Sequence, residues 1–486
     1  MSEERQCSGC RERDEIIREL RALVAVQGGQ IAKLQTRVAE LDEQVRELHV
    51  RLNQNSSNSS CPPSSDPPQA SPRSSKPPTG RKPGGQPGHP GHSRTRLPPD
   101  RVNRIVNYWP LVCARCQAAL PNALQPDDPE PMWHQVAEVP LMPAIVTEHQ
   151  AHGRHCPDCG HCTWGEIPAE IRAHGFGANL AAIVVLMSVL CRGSKRIIEE
   201  FVETVFQVPL SLGTIVHLEQ ETSAALSTPY QEAQQNVRAA PVKNADETGW
   251  RQAGQRRWLW MAATQTAACF KVCVGRGKAA LRELLGEAIQ GIVSSDRWSA
   301  YNQLDLFCRQ LCWAHLKRDF QKWVDRGGEA GLKVGQAGLE TVRQLFALWR
   351  DFRERRMDRS ALQSALIPVQ EQLRAALEGG ASSDDVRVRR FCRNVLAIDP
   401  ALWTFARAEG VEPTNNHAER TLRRAVIWRK VSFGNHSDAG CRFTERILTV
   451  VQTLRMQHRP VLDYLRQAVL AHRTAGPAPV LCAVGG

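Results

Sequence analysis

The chain has 486 residues, and its 62 lysines and arginines exceed its 50 aspartates and glutamates, which gives a formal net charge of +12. Because a domain commonly holds about 100–200 residues, the chain is too long for one ordinary core, and about two to four folded units are expected. A balance this basic is typical of a protein with an anionic partner, and nucleic acid is the leading candidate.

Hydropathy and cysteine usage argue against a membrane or secreted protein. No charged and then apolar leader opens the chain, and its most apolar run, residues 180–190, is too short to cross a bilayer. The 16 cysteines include close-spaced groups, which in a reducing compartment more often bind metal than form disulfides. We therefore expect a soluble, intracellular protein that does not associate with membranes.

Apolar residues recur every seven positions near the N-terminus. They form the a/d seam of a coiled coil, which is interrupted at Gln27 and at the following Gly28-Gly29 pair. We predict an oligomerisation helix in residues 1–54, most clearly over 16–52; a single solvated helix packed on its own domain is the alternative. The first series is Ile17, Val24, Ile31, Val38, Val45 and Leu52, and the second is Leu20, Leu34, Leu41 and Leu48.

Residues 55–100 consist mainly of Ser, Pro, Asn and Gly. Such a segment cannot bury enough apolar surface to offset the entropy of the chain, so we predict a disordered linker. Its end, GRKPGGQPGHPGHSRTR, is basic, which makes Arg81 and Lys82 candidate contacts to DNA phosphates. A solvated tether with no such contacts is an equal alternative.

Two Cys-x-x-Cys pairs lie in residues 101–168. Cys113 with Cys116, and Cys156 with Cys159, could present four thiolates to Zn²⁺ in a tetrahedral site. We predict a zinc-binding module that recognises DNA, with strands such as IVTEHQAH between the pairs. Cys162 or a nearby histidine could replace one of the ligands, and cysteines without metal are the alternative.

Residues 169–235 are predicted to be helical. An apolar helix is followed by SKRIIEEFVETVFQ and by a helix capped near Ser211, which suggests a DNA-binding helix-turn-helix. Three packed helices without a DNA contact would give the same pattern.

The periodicity changes at residue 236, where we predict an α/β catalytic core that extends to 472. PVKNADETGWR reads as a strand, RRWLWMAATQ and AACFKVCVG as a hairpin, KAALRELLGEAIQ as a helix, and GIVSSDRWSAY as a short buried strand. This is the opening order of a ribonuclease-H-like fold, in which the first and fourth strands lie side by side. Asp246 and Asp296 would then converge at the ends of those strands.

Two-metal phosphoryl transfer needs a third carboxylate, because several hard oxygen ligands must hold the Mg²⁺ ions. Glu247 points to the face of the strand opposite Asp246, so it is a poor candidate. Glu419 and, less well, Glu445 remain. Glu419 also fits the first turn of a helix that begins near Asn416, a pattern typical of helix capping.

Five sequence motifs indicate a resemblance to a known family. ADETGWR, SDRWSAY, CWAHLKRDF, NNHAERTLR and SDAG occur in this order, and the chain resembles the bacterial DDE transposases of the insertion sequence 66 family. The resemblance extends to the N-terminal helix, the RKPGGQPGH linker and the cysteine pairs, and so covers nearly the whole length. It implies that Asp246, Asp296 and Glu419 form the catalytic triad and bind Mg²⁺ or Mn²⁺.

The resemblance also explains the long interval before Glu419. Residues from about 321 to 405 are rich in Leu, Ala, Arg and Glu at helical spacing, and we interpret them as an α-helical insertion that packs on the catalytic sheet and helps to cover DNA. A cytoplasmic, nucleoid-associated bacterial protein follows, with accessory proteins of the same element as possible partners. Residues 473–486 are predicted to be a flexible tail.

A basic cluster follows Glu419. A salt bridge between Glu419 and Arg423 is one interpretation, but the cluster holds more cations than one carboxylate can pair, so we favour a face that contacts DNA phosphates. Cys312–His315 is predicted to be a buried final strand, with Trp258 and Trp260 in the core. The cluster is Arg420, Arg423, Arg424, Arg429 and Lys430.

The sequence thus predicts a multidomain DNA transposase with an N-terminal coiled coil, a zinc module, a helical DNA-binding region and a ribonuclease-H-like core. It would bind the terminal repeats of an insertion sequence as a dimer, cleave DNA to leave a 3′-hydroxyl, and join that end to double-stranded target DNA. Two alternatives stay open: a structure-specific nuclease on the same fold that does not join DNA, and a zinc-dependent DNA-binding regulator without catalysis.

Overall fold

The computed structural model describes residues 8–52, 95–123, 125–139 and 143–482. One long helix, α1 (Ser8–Leu52), continues through Gly28 and Gly29. The helix predicted for this segment is therefore confirmed, although the structure contains a single chain and does not test oligomerisation. Every seam residue whose side chain is described is exposed. Within the described residues, no helix combines the length and the hydropathy needed to span a lipid bilayer.

The cysteine-rich region contains little regular structure. Two three-residue strands, β1 (Gly153–His155) and β2 (Cys162–Trp164), form an antiparallel hairpin around the second Cys-x-x-Cys turn. The strand predicted over residues 145–152 is absent, because the described backbone there has no ladder partner and pairing starts only at Gly153. A short helix, α2 (Ala169–Arg172), follows.

Four α-helices, α3 to α6, lie between α2 and the central sheet. Ser194 caps α4 and Ser211 caps α5, each accepting a hydrogen bond from a backbone N–H three residues later. The cap predicted near Ser211 is therefore confirmed, whereas a DNA contact by this pair of helices stays a prediction. The helices are α3 (Ala178–Leu186), α4 (Lys195–Phe206), α5 (Leu212–Ala225) and α6 (Ser227–Ala239).

A five-stranded mixed sheet forms the centre of the molecule. In the order β5-β4-β3-β6-β7, the first three strands are antiparallel, and β6 and β7 run parallel to β3. The predicted adjacency of the first and fourth strands is thus confirmed. The strands are β3 (Val242–Gln252), β4 (Gln255–Ala263), β5 (Ala268–Cys273), β6 (Ile292–Ser295) and β7 (Arg309–Leu311), and α7 (Lys278–Leu285) separates β5 from β6.

Helix α14 (Asp438–Met456) covers the edge strand β5. Glu445, Thr449 and Thr453 lie four residues apart and therefore share one helical face. Their side-chain oxygens accept the N–H groups of Val272, Phe270 and Ala268 at 2.8, 3.0 and 3.1 Å. The helix thereby satisfies backbone donors that an edge strand would otherwise leave open.

The predicted helical insertion is present. Its buried side chains form a core that includes Leu311 and Trp313, and partly buried Val242 and Ile292 of the sheet pack against it, so the insertion packs on the central sheet as predicted. Its helices are α8 (Trp313–Arg326), α9 (Glu329–Arg353), α10 (Arg359–Ala381), α11 (Val386–Leu396) and α12 (Thr404–Arg407).

Helices α13 (Asn416–Ser432) and α15 (Val461–Arg473) complete the fold. The segment after α15 is packed against the protein as far as it is described, which corrects the prediction of a flexible tail for residues 473–482. Leu481 and Cys482 are buried in the main core, and the Leu481 N–H donates to Glu232 at 2.9 Å. Two apolar side chains near the end of the chain supply the burial that holds this segment in place.

Candidate active site

Asp246 and Asp296 lie at the same level of the sheet. Asp246 is within β3, which continues to Gln252, so the prediction that it lies at a strand end is wrong, whereas Asp296 directly follows β6. Strands β3 and β6 are parallel, and their last registered pair is Asn244 opposite Ser294. Each aspartate lies two residues beyond that pair, so both carboxylates emerge at the same edge of the sheet. The structure therefore brings these two predicted residues together.

Asp296 is held by its own turn and by the next strand. Its Oδ1 accepts the backbone N–H of Trp298 at 2.8 Å, and its carbonyl accepts Nη2 of the buried Arg309 at 2.8 Å. Arg309 also donates from Nε to Ser295 at 3.2 Å. These bonds fix the backbone that carries the carboxylate.

Glu419 reaches the site from the first turn of α13. The buried Asn415, which precedes this helix, fixes its start: Asn415 Nδ2 donates to the Ala245 carbonyl at 2.7 Å, and Asn244 Nδ2 donates to Asn415 Oδ1 at 2.8 Å. The predicted helix start at Asn416, with Glu419 in the first turn, is confirmed, whereas the side-chain cap expected there does not form. Asn415 binds β3 beside Asp246, whereas Asn416 is exposed.

The carboxylates at this edge repel one another. Burial first, then Glu247, Asp296 and Glu419 raise the pKa of Asp246, and its hydrogen bond among the described residues comes from the adjacent Glu247 N–H at 2.9 Å. Burial and Asp296 likewise raise the pKa of Glu247. Several acids that share one site without a matching cation disfavour full ionisation.

Glu247 is occupied by other partners. Arg276 donates to its Oε1 at 2.8 Å and the Tyr301 hydroxyl donates to its Oε2 at 2.7 Å. The same Arg276 guanidinium lies over the Trp258 and Trp298 rings, at 4.7 and 3.9 Å from their centroids. Trp260 is a core residue as predicted, but the half-buried Trp258 supports Arg276 instead.

Helix α8 supplies two further side chains that face Glu419. His315 Nδ1 and Arg318 Nη2 lie 3.8 and 3.9 Å from Glu419 Oε1. His315 Nδ1 is buried and has no hydrogen-bond partner among the described residues. Burial and Arg318 lower its pKa.

The prediction of a final strand at Cys312–His315 is wrong. The strand is the preceding Arg309–Leu311, Cys312 follows it, and α8 begins at Trp313. The alternative interpretation, a salt bridge between Glu419 and Arg423, is not observed, since the ion-pair distances from Glu419 lead to α8.

Glu445, the other candidate for the third acid, lies elsewhere. It is buried under β5 and bonded to Val272, so its carboxylate serves the edge strand. The geometry therefore separates two acids that the sequence left as alternatives.

The carboxylate oxygens of Asp246, Asp296 and Glu419 are the hard donors that Mg²⁺ prefers, and the uncompensated charge around Asp246 suits a cation. However, no group of three or more His, Cys, Asp or Glu side chains in the described part of the chain is assembled as a metal site. Donor chemistry fits a divalent cation, but this conformation does not bring the full ligand set together.

The zinc prediction is not supported. In each Cys-x-x-Cys pair, hydrogen bonds from backbone N–H groups of the turn lower the pKa of the first thiol, Cys113 or Cys156. This is the local geometry of a metal knuckle, but the two pairs do not form a common site among the described residues. The intervening described backbone has no strand that would register one turn against the other.

The predicted basic residues of α13 divide into three exposed side chains and two that are partly buried. Arg420, Arg423 and Lys430 are exposed. Arg429 is half-buried and donates from Nη1 to Thr248 Oγ1 and to the Gly249 carbonyl, each at 2.8 Å. Burial and the neighbouring Arg455 and Arg192 lower the pKa of Arg424. Arg81 and Lys82 lie outside the described residues.

Comparison with known protein families gives two matches. The model of a family described as "Transposase IS66 family" matches residues 176–442, which is more than half of the chain. The chain belongs to the IS66 transposase family. Residues 5–95 of this IS66-family chain match a second family, whose function is unknown.

A curated relative adds sequence similarity without a function. It is named "Uncharacterized protein y4qI", from Sinorhizobium fredii (strain NBRC 101917 / NGR234), and is 27% identical over 251 residues. The match covers 46% of this chain and 45% of the relative. The IS66-family chain thus spans less than half the length of this relative.

Sequence reasoning missed several residues of the site. The IS66 motif CWAHLKRDF contains both His315 and Arg318, and only a helix that begins at Trp313 places them on the side facing Glu419. The contact of Asn415 with β3 had a signal in the doubled asparagine before Glu419. Arg276 gave no signal, because its contacts with Glu247, Trp258 and Trp298 come from other segments of the chain.

Proposed function

We propose that the chain is a DNA transposase that cleaves the ends of its own insertion sequence and joins them to target DNA. The observation that carries this proposal is the position of three acids: Asp246 on β3, Asp296 directly after the parallel strand β6, and Glu419 on the helix that Asn415 attaches to β3. Membership of the IS66 family supports the same activity.

We infer that the sheet and its helices form a ribonuclease-H-like core. The strand order, with three antiparallel strands followed by two parallel ones, supports this inference. Asp246, Asp296 and Glu419 would hold Mg²⁺ or Mn²⁺, which when bound supplies Lewis-acid stabilisation of the phosphate and lowers the pKa of water.

The other side chains of the site position its parts. Asn415 sets the direction of α13 and hence of Glu419, and Arg309 and the Trp298 N–H hold Asp296. Arg318, 3.9 Å from Glu419, places a fixed positive charge beside the acids, where a DNA phosphate would approach. We propose that Arg420, Arg423, Arg424, Arg429 and Lys430 contact the DNA backbone on the same side.

Joining two ends of an element needs two such sites. The exposed apolar seam of α1 supports a dimer in which each protomer holds one end. Whether accessory proteins of the element take part is a separate question that the purified chain can answer.

A joining assay tests the proposal. Purified protein is incubated with a labelled element end, a target plasmid and Mg²⁺, and the products are separated on denaturing and native gels. A joined product is the expected result. Cleavage without joining would support a nuclease, and a mobility shift without cleavage would support a DNA-binding regulator.

The triad is tested with Asp296→Asn. This substitution keeps the size of the side chain and the acceptor for the Trp298 N–H but removes the charge. Joining is expected to fall by orders of magnitude, because the cation site loses one of its ligands. Unchanged joining would overturn the assignment.

A further inference from the structure

A basic cavity lies beside the proposed catalytic strand. It has a volume of about 520 Å³ and is open at the surface. Its lining includes Gly249 and Arg251 of β3, Arg256 of β4, and Arg429, Lys430 and Phe433 from the C-terminal end of α13. Four of these six residues carry a positive charge and none carries a negative charge.

The cavity is fixed by the turn that follows α13. Asn435 donates its N–H to the Arg251 carbonyl at 2.9 Å and accepts the Trp250 indole N–H at 2.7 Å. Gly434 has φ +110°, and a Cβ there would lie 2.3 Å from the Arg251 carbonyl oxygen, so only glycine allows this approach. These contacts therefore hold the C-terminal end of α13 against β3.

Only some of the cationic side chains in the cavity have hydrogen-bond partners within the described part of the protein. Arg429 binds the strand through Nη1, and Arg251 donates through Nη1 to the Gly254 carbonyl at 2.9 Å. Lys430 makes no ion pair within the described part of the chain. Arg256 has no ion pair within the described residues, and its guanidinium lies over the Trp258 ring at 5.0 Å from the centroid. Cationic side chains that line one cavity with no acid among them are typical of a site for phosphate oxygens.

Phe433 adds an aromatic face at the rim. It is 77% exposed and has φ +60°, an uncommon conformation for a residue with a large side chain. An exposed phenyl ring in the lining of a cavity with four cationic residues suits neither the core nor a plain phosphate site. It suits a nucleobase that has left its duplex, since a base can stack on the ring while its phosphate meets the cations.

The cavity lies within reach of the cleavage site. Gly249 and Arg251 follow Asp246 on the same strand by three and five residues, which corresponds to about 10–17 Å of extended chain. This distance is a few nucleotides of DNA. A nucleotide close to the scissile phosphate could therefore occupy the cavity while that phosphate lies at the acids.

We propose that this cavity binds an unpaired nucleotide of the DNA, with its base stacked on Phe433 and its phosphate held by Lys430, Arg251 and Arg256. This inference rests on the proposed DNA substrate. It adds a prediction that the transposase activity alone does not make: the protein distinguishes DNA with an unpaired strand near the cut from fully paired DNA.

The test is a binding measurement with the full-length chain in EDTA, so that no cleavage occurs. The probes are a blunt mixed-sequence duplex and the same duplex with a single-stranded thymidine tail of about six nucleotides, followed by fluorescence anisotropy. Wild type is expected to bind the tailed probe more tightly. Phe433→Ala is expected to lower that preference by about tenfold, within the range known for loss of one stacked base.

Matched variants separate the two contacts. Phe433→Tyr keeps an aromatic face and should retain the preference, which also shows that the position tolerates substitution. Lys430→Ala should weaken binding of the tailed probe and lower the slope of log affinity against log salt by about 0.7, the value for one lost phosphate contact to a single strand. Thermal melting of each variant shows whether it is folded.

Equal binding of both probes by wild type would overturn the inference, as would an unchanged preference in Phe433→Ala. Because the measurement needs no catalysis, its failure is distinct from failure of the joining assay. If the protein joins DNA but binds both probes equally, only the assignment of the cavity is wrong. If it prefers the tailed probe through Phe433 but does not join DNA, only the proposed transposase activity is wrong.

Discussion

At the scale of single residues, the site is governed by carboxylates that lie close to one another. Asp246 is half-buried, it adjoins Glu247 along the strand, and Asp296 and Glu419 add further negative charge. Glu247 pairs with Arg276 at 2.7 Å, and Glu419 lies 3.9 Å from Arg318. Asp246 and Asp296 make no ion pair within the described part of the chain. The protein without metal therefore stores electrostatic repulsion that a bound cation would relieve.

This repulsion gives a pH-dependent stability. The folded pKa of Asp246 is raised, so the folded state holds this proton more tightly than the unfolded state, whose value is about 3.9. The contribution of the Asp246 carboxyl to the free energy of unfolding is fully present below about pH 3.9. It is lost as the pH rises through the pKa of Asp246 in the folded state. In EDTA, the Tm of Asp246→Asn is expected to exceed that of wild type increasingly as the pH rises, measured by differential scanning fluorimetry.

The exposed Asp127 provides the control for that measurement. Asp127→Asn should follow wild type at every pH. Parallel Tm curves for wild type and Asp246→Asn across the acidic range would show that the carboxylate carries no such penalty.

At the scale of elements, the start of α13 determines where Glu419 lies. Asn415 is 1% exposed and bonds to both Asn244 and the Ala245 carbonyl. Its backbone N–H also lies 3.1 Å from Cys312 Sγ, at the start of α8. The helix with Glu419 and the helix with His315 therefore meet at this one buried amide.

Asn415→Ala is expected to destabilise the protein by about 1–3 kcal/mol, because Asn244 and the Ala245 carbonyl lose buried partners. Its joining activity is expected to fall further than the loss of folded protein accounts for, because Glu419 is no longer held in position. Asn416→Ala is the matched control, since Asn416 is exposed. Thermal melting and the joining assay measure both effects. Equal behaviour of the two variants would remove the positioning role of Asn415.

Helices of the insertion pack closely through glycine. A Cβ on Gly380 would lie 2.4 Å from Cys392 Sγ and 2.7 Å from Val334 Cγ2, whereas one on the adjacent Gly379 meets nothing within 4 Å. Gly380→Ala is expected to cost about 1–3 kcal/mol by overpacking. Gly379→Ala should stabilise α10 by up to about 1 kcal/mol through helix propensity.

Thermal melting of the two alanine variants compares them directly, because they differ by a single position in one helix. A Tm for Gly380→Ala at or above that of Gly379→Ala would contradict the close contact between α9, α10 and α11.

The elements also show what the sequence could predict. Strands β3 and β6 were predictable because each is a short, strand-like segment before or around an aspartate, bounded by Pro241 or Gly291. Strand β7 was misplaced because two of its three residues, Arg309 and Gln310, are polar yet fully buried. Gln310 is satisfied by the Leu402 carbonyl and the Phe405 N–H, contacts about ninety residues away in sequence.

The choice of the third acid shows the same limit. Glu419 and Glu445 both lie on amphipathic helices after the insertion, and local pattern does not tell which carboxylate faces the sheet edge with Asp246 and which bonds to β5. That distinction depends on how two helices cross the sheet. Only the resemblance to the IS66 family separated them before the structure.

At the scale of the whole molecule, the exposed seam of α1 predicts a dimer. Ile31 is 55% exposed and Val38 is 56% exposed in the single chain, and pairing two such helices would bury the stripe. Ile31→Lys places a charge in the seam, whereas Ala32→Lys places the same charge just outside it. Light scattering after gel filtration is expected to show a dimer for wild type and Ala32→Lys, and a monomer or weakened dimer for Ile31→Lys.

The same mass for all three proteins would contradict pairing through this helix. A monomer with intact thermal melting in Ile31→Lys would also allow a test of joining, which is expected to fall because two DNA ends would no longer be held together.

The central claim is that Glu419, with Asp246 and Asp296, forms the catalytic site, and a comparison of Glu419→Gln with Glu445→Gln in the joining assay tests it most directly. Each variant replaces one carboxylate by an amide of the same shape, and the amide oxygen at 445 can still accept the Val272 N–H. We predict no detectable joining by Glu419→Gln and near wild-type joining by Glu445→Gln. Joining by Glu419→Gln at the wild-type level would contradict the assignment.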